Sequence, residues 1–204
     1  MATALTVVNE WASDSEDKQL LVKQQSGLVL RWLNEAQLRF VDRANNLRDV
    51  WTPTITSSGN VSLPSDFIRE IPDLVKYDLN STVQPPLKKI DYAVATNIQW
   101  GGRTHYSIHN GKMYVWSAGA LTPSVTYIKK PAALTTLSSD DLTVDSTNFQ
   151  DIIYFLELKW LYRTKQINLI QYSAMMRDFE DRATQEGVKF IVATDSMTVR
   201  NGGL

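Results

Sequence analysis

The residues best equipped for chemistry are few. His105 and His109 are the only histidines, and on a helix their four-residue spacing could hold a metal. They fall instead in 104–116, where apolar and polar residues alternate around Asn110-Gly111 and predict two strands with a tight turn. Four residues of strand separate two side chains by ~13 Å, too far for joint ligation. Two polar residues on the wet face of a hairpin is the favoured reading. Asp140, Asp141 and Asp145 bring three carboxylates close together, but the ligand order and glycine of a calcium loop are absent. A polar loop leading into a helix cap fits better. Trp100, Tyr114, Trp116 and Tyr127 could form a platform for sugars or bases, although core packing and a subunit interface explain them more simply. Met175-Met176 reads as helix packing.

Other catalytic signatures are missing. No phosphate-cradling glycine loop, nucleophile elbow or H-E-x-x-H zinc motif occurs, and nothing in the sequence calls for a cofactor. With no cysteine, the chain has no disulfide, thiolate metal site or cysteine nucleophile. No pair of carboxylates stands out for glycosidase chemistry. Lys+Arg of 21 against Asp+Glu of 22 gives a net charge of −1, which argues against a protein built to grip phosphates. At 204 residues and 43% hydrophobic, the chain can bury a sizeable core. Its longest apolar run, Ile152 to Leu156, is far below the ~20 residues of a membrane helix. The first eight residues carry no Lys or Arg, so a soluble, unexported protein is expected.

Proline marks the organisation. All seven prolines lie between positions 53 and 131, and the flanks read as helix. Ser13 and Glu16 have capping-box spacing. After a break at Ser26-Gly27, a longer helix carries Val29, Leu33, Ala36, Phe40 and Ala44 on one stripe. In the second flank, a helix from about Asp151 is apolar almost all round, leaving surface to spare for a neighbour. Asn168 can cap the next helix, whose stripe begins at Leu169 and which Gly187 would end with a left-handed cap.

The middle reads as strands at 50–56, 61–63, 68–77, 87–91 and 124–129 besides the hairpin. The Asn-Gly turn pairs Ile108 with Met113 and Tyr106 with Val115 on a dry face. His105, Tyr114 and Trp116 fall on the other, a candidate interface face. The expected fold is α+β: a discontinuous helical bundle (1–50 and 147–187), an inserted antiparallel β-rich domain (51–146) and an extended C-terminal arm (188–204).

Three stretches in order carry a resemblance: Leu33-Asn34-Glu35-Ala36-Gln37 leading to Trp51, then Leu63-Pro64-Ser65-Asp66-Phe67, then the hairpin followed by Val125 to Pro131 and Leu137. Together they resemble the head-to-tail adaptor (head-completion or connector) proteins of tailed bacteriophages, over about residues 28–187. Pro64 would fix a turn, Asp66 would bond back to a backbone amide and Phe67 would anchor the next strand. Lys129-Lys130-Pro131 would end another.

The resemblance implies a structural, non-enzymatic protein of the virion head-tail junction, assembled in the host cytoplasm. It implies a homo-oligomeric ring of twelve subunits beneath the portal protein, above a tail or nozzle protein. Double-stranded DNA would pass through the channel without specific binding, and no membrane is involved. The portal-gripping element would be the arm, with Phe190, Ile191, Val192, Met197, Val199 and Arg200. The competing expectation is a tail or fibre module whose β-insertion recognises a carbohydrate or cell-surface receptor.

Overall fold

The computed structural model describes residues 3–55, 59–79, 82–83, 87–95, 104–117 and 121–200, with the backbone alone at 72–73, 78–79, 82–83 and 190–200. The fold is α+β. The chain divides into a helical unit, Met1–Asn46 with Lys130–Leu204, and a β unit, Leu47–Lys129. Segment 130–146, placed in the insertion by the sequence reading, therefore packs with the helices. Among the described residues the helices are α1 (Ala4–Ala12), α2 (Glu16–Gln24), α3 (Ser26–Ala44), α4 (Tyr92–Ala95, in the β unit), α5 (Phe149–Arg163) and α6 (Leu169–Arg200). None of them is long and apolar enough to cross a membrane.

The first flank starts earlier than its sequence suggested. Ala4, Val7, Val8 and Trp11 recur at helical spacing and are all buried, so α1 forms although its first turn has no acidic residue. Ser13 does not open a helix. Its hydroxyl donates to the Glu10 carbonyl at 2.8 Å and closes α1, while Ser15 caps α2 by accepting from the Lys18 amide. The long stripe on α3 is buried as expected, and Asn45, at φ 54°, ends the helix in a left-handed cap. At the start of α6, Asn168 and Gln171 exchange side-chain and backbone hydrogen bonds, both 2.9 Å, in a capping box.

Two aromatic nodes hold these helices together. Trp11 meets Trp32 and Trp160 edge-on at 6.4 and 6.3 Å. Phe179 of α6 packs on Phe40 of α3 at 6.3 Å and Phe155 of α5 at 5.1 Å, all three rings fully buried.

Two expectations for α6 fail together. Gly187 ends nothing: a Cβ there would lie 2.4 Å from the Ala44 carbonyl oxygen, so its glycine permits the close approach of α6 to the end of α3. The segment after it is not an extended arm, because helix continues from Val188 to Arg200. The β-branched residues there cost only tenths of a kcal/mol each, ~0.7 at most, and an existing helix elongates without a new nucleation cost.

The β unit holds two four-stranded sheets. One has strand order β1 (Arg48–Trp51), β8 (Thr122–Lys129), β3 (Phe67–Leu79) and β4 (Thr82–Val83), and is antiparallel. The other has β2 (Gly59–Ser62), β7 (Lys112–Trp116), β6 (His105–His109) and β5 (Lys88–Lys89). It departs from the expected antiparallel pattern because β5 runs parallel to β6. Between Glu70 and Val75 the register of β3 shifts against β8, in the stretch that contains Pro72, whose nitrogen cannot donate to a ladder. Buried residues of both sheets, among them Val75, Tyr106, Met113 and Val125, share one core cluster.

Candidate assembly surfaces

The motif residues are engaged in internal ties. On α3, Asn34 donates to the Leu134 carbonyl at 3.0 Å and accepts from the Leu134 amide at 2.8 Å. One turn on, the buried Gln37 accepts from the Thr143 amide at 2.7 Å. These two amides peg the stretch after β8 onto α3, and Ala36 between them is fully buried. Glu35 turns the other way, to Lys159 of α5 at 2.7 Å and Arg39 at 3.1 Å.

In the β unit the two remaining motifs meet. Phe67, first residue of β3, stacks on Tyr127 of β8 with ring centroids 5.4 Å apart. Asp66 does not bond back to a local amide. Its carboxylate accepts from the Tyr127 hydroxyl at 3.1 Å and lies 3.7 Å from the Lys129 ammonium, which also pairs with Asp49 at 3.1 Å. The local turn is closed by the backbone instead, Phe67 amide to Pro64 carbonyl. Burial, helped by the Asp66 bond, pushes the Tyr127 phenol up to about 12, so it stays a neutral donor. The strand ends at Lys129, as Pro131 anticipates.

The hairpin has the expected register: His105↔Trp116, Tyr106↔Val115, Ser107↔Tyr114, Ile108↔Met113 and His109↔Lys112. Asn110 and Gly111 supply φ of 48° and 70°. Tyr106, Met113 and Val115 are buried on the dry face. The second face is drier than its residue types implied. Tyr92 of α4 stacks flat on His109 at 4.5 Å and meets Tyr114 at 4.6 Å and Trp116 at 6.3 Å. Ser107 and His105 beneath are buried. His105 is therefore no part of an exposed interface face, whereas Tyr114 and Trp116 keep half-buried rings. Neither histidine belongs to a metal-binding group, and no such cluster occurs among the described residues. Trp100 lies outside the described residues.

Of the three aspartates after β8, Asp140 is a structural tie. Asp140 accepts from the amides of Thr136 (2.9 Å) and Thr135 and from the Thr135 hydroxyl (3.0 Å). Those bonds hold its carboxyl down at about 2. The Asp140 carbonyl in turn accepts from the Ala4 amide at 2.9 Å, fixing the loop to α1.

The apolar surface expected to spare on α5 is largely used within the subunit. Trp160 packs on Trp11, and Arg182 lies 4.6 Å over the Tyr154 ring. Among the described residues, the most exposed large apolar side chains of the helical unit lie where α5 ends and α6 begins. Leu169 and Ile170 are 63% and 81% exposed, and Tyr162 is 43% exposed, so Leu169 precedes the buried stripe of α6 instead of opening it. Sequence periodicity missed this because it marks spacing, and the first turn of α6 precedes the residues that pack on α3. The side chains of Phe190, Ile191, Val192, Met197, Val199 and Arg200 lie outside the described residues.

The fold joins these surfaces in one chain: a helical unit pegged by Asn34 and Gln37, and a β unit closed by Asp66, Phe67, Tyr127 and Lys129. A search of curated proteins finds no match. The model of a family described as SU10 adaptor protein matches residues 2–199, taking in both units and every motif named above. The chain belongs to this family of phage adaptor proteins.

Proposed function

We propose that the protein is a structural component of the virion, a ring of identical subunits that joins the portal to the tail and extends the DNA channel. The observation that carries this reading is the family match over residues 2–199. Twelve copies is the stoichiometry expected of such a ring. The net charge of −1 supports a channel through which DNA slides without being gripped.

The portal contact is assigned to the C-terminal segment 188–204, which includes the last turns of α6. Val188 is 55% exposed, and the backbone beyond it is helical, which suits an apolar helix entering a groove better than strand addition. Phe190, Ile191, Val192, Met197 and Val199 are the anchors and Arg200 the polar tip. Tyr114 and Trp116, with half-buried rings, are the candidate contact face of the β unit.

Deleting 188–204 tests the portal assignment, since Gly187 and the helix before it make the internal packing. The truncated chain should fold and fail to pull down purified portal. Binding equal to that of the full chain would move docking to the body of the helical unit.

A further inference from the structure

Charge along the helical unit is segregated on a scale that its totals hide. From Leu158 to Arg177 there are four basic residues, Lys159, Arg163, Lys165 and Arg177, and no acidic one. The α2–α3 turn is tied to this region by a 3.0 Å hydrogen bond from Arg163 to Gln25, and it too is free of acidic residues from Lys18 through Asn34. The opposite holds from Pro131 to Leu158, which has Asp140, Asp141, Asp145, Asp151 and Glu157 and no basic residue. It holds again from Met1 to Asp17, with Glu10, Asp14, Glu16 and Asp17. These two acidic stretches are neighbours: Ala4 bonds to Asp140, and Gln150 donates to Glu10 at 2.7 Å.

Glu157 and Lys159, inside α5, are paired within the chain to Lys18 and Glu35, each at 2.7 Å, whereas the aspartates before α5 and the cations at its end lie at opposite ends of the helix. Asp145 precedes the helix and Arg163 ends it, 15 helical residues apart, or about 22 Å of helix. The basic end also carries the exposed apolar pair Leu169 and Ile170, with Arg163 and Lys165 exposed beside them. An apolar centre flanked by cations matches a protein surface with an acidic rim. A phosphate backbone has no use for an 81% exposed isoleucine.

We propose that the α5–α6 tip docks on a second copy of this chain, with Leu169 and Ile170 at the centre and Arg163 and Lys165 facing Asp141 and Asp145 of the neighbour. Both aspartates are exposed. Because the complementary patches sit at opposite ends of one helix, a subunit cannot satisfy its own, and the contact is head-to-tail, the kind that closes into rings. This inference rests on the ring reading and names the surfaces that make the ring.

The absence of native cysteine allows a direct test. Ile170→Cys and Asp145→Cys replace exposed side chains, so both variants should fold, as circular dichroism will verify. Treated with a short bis-maleimide, alone or seated on purified portal, the two single variants mixed together should give a covalent dimer. The double variant should give a ladder, and each single variant alone should stay uncross-linked. Adding Arg163→Glu and Lys165→Glu to the Ile170→Cys chain should abolish the mixed dimer. If the unmodified chain forms rings but the mixture does not cross-link, the tip assignment is wrong and the ring stands. If it forms no oligomer under either condition, both fall. Homodimers of the Ile170→Cys variant would show tip-to-tip pairing and overturn the proposal. So would duplex-DNA binding that is lost in Arg163→Glu/Lys165→Glu while cross-linking of the Ile170→Cys and Asp145→Cys mixture persists with those changes.

Discussion

Gly187 of α6 lies so close to Ala44 of α3 that a single added carbon would sit 2.4 Å from the Ala44 carbonyl oxygen. Backbone carbonyls do not swing aside, so the helices must part. Gly187→Ala gains up to ~1 kcal/mol of helix propensity and loses ~1–3 kcal/mol to overpacking. A net loss of about 1–2 kcal/mol in urea unfolding is expected. Gly27 has nothing within 4 Å of its would-be Cβ, and Gly27→Ala should stabilise by ~0.4–1 kcal/mol. Equal effects of the two substitutions would contradict this account of the packing.

Asn34 binds both the amide and the carbonyl of Leu134. Asn34→Leu strands two backbone groups in a part-buried place, at ~1–3 kcal/mol. Asn34→Asp keeps the acceptor and should lose less. Thermal melts should rank wild type highest, Asn34→Asp next and Asn34→Leu lowest.

These helix ties also show what a sequence leaves unread. Asn110-Gly111 is decisive because few residues tolerate successive positive φ, and alternation then sets every pair of the hairpin. Asn168 was legible for a similar local reason. Gly187 was not, since a glycine near the end of a helical stripe fits a cap as well as a close crossing. Ser13 and Ser15 both have cap chemistry, and only the tertiary burial of Val7, Val8 and Trp11 decides between them. Asn34 stood out in a motif, but its partner is 100 residues away and no local rule names it. His105 looked wet because its type and strand face say so, until Tyr92 closes over its neighbours.

The β hairpin should respond unequally to substitution. Met113 is fully buried, and Met113→Asp puts a carboxylate into the shared core of both sheets, at a cost of several kcal/mol, about 3–5. His109→Ala removes an exposed ring stacked on Tyr92 and should cost less than ~1 kcal/mol. His105→Ala, at a position 6% exposed, should cost more than His109→Ala. Denaturant midpoints that place the two histidine variants in the reverse order would contradict the burial assigned to this face.

Asp140 gives the fold an acid limit. Its carboxyl is held at about 2 against an ordinary 3.8, mainly by the Thr136 and Thr135 amides. The folded state therefore resists protonation more than the unfolded chain. The resulting stabilisation is complete above 3.8 and is lost as pH falls through about 2. Asp140→Asn should be less stable than wild type at neutral pH, and the difference should shrink across that window. A constant difference down to pH 2 would mean that the carboxylate charge is not what holds the loop.

The central claim is that the chain assembles as a ring on a portal. Electron microscopy of the purified protein mixed with the portal of its own phage tests it most directly, alongside light scattering of each component alone. The account predicts a second ring of twelve subunits coaxial with the portal, its channel continuous with the portal channel. A chain that leaves portal particles undecorated at saturating concentration, while binding glycans as a monomer or trimer, would contradict it.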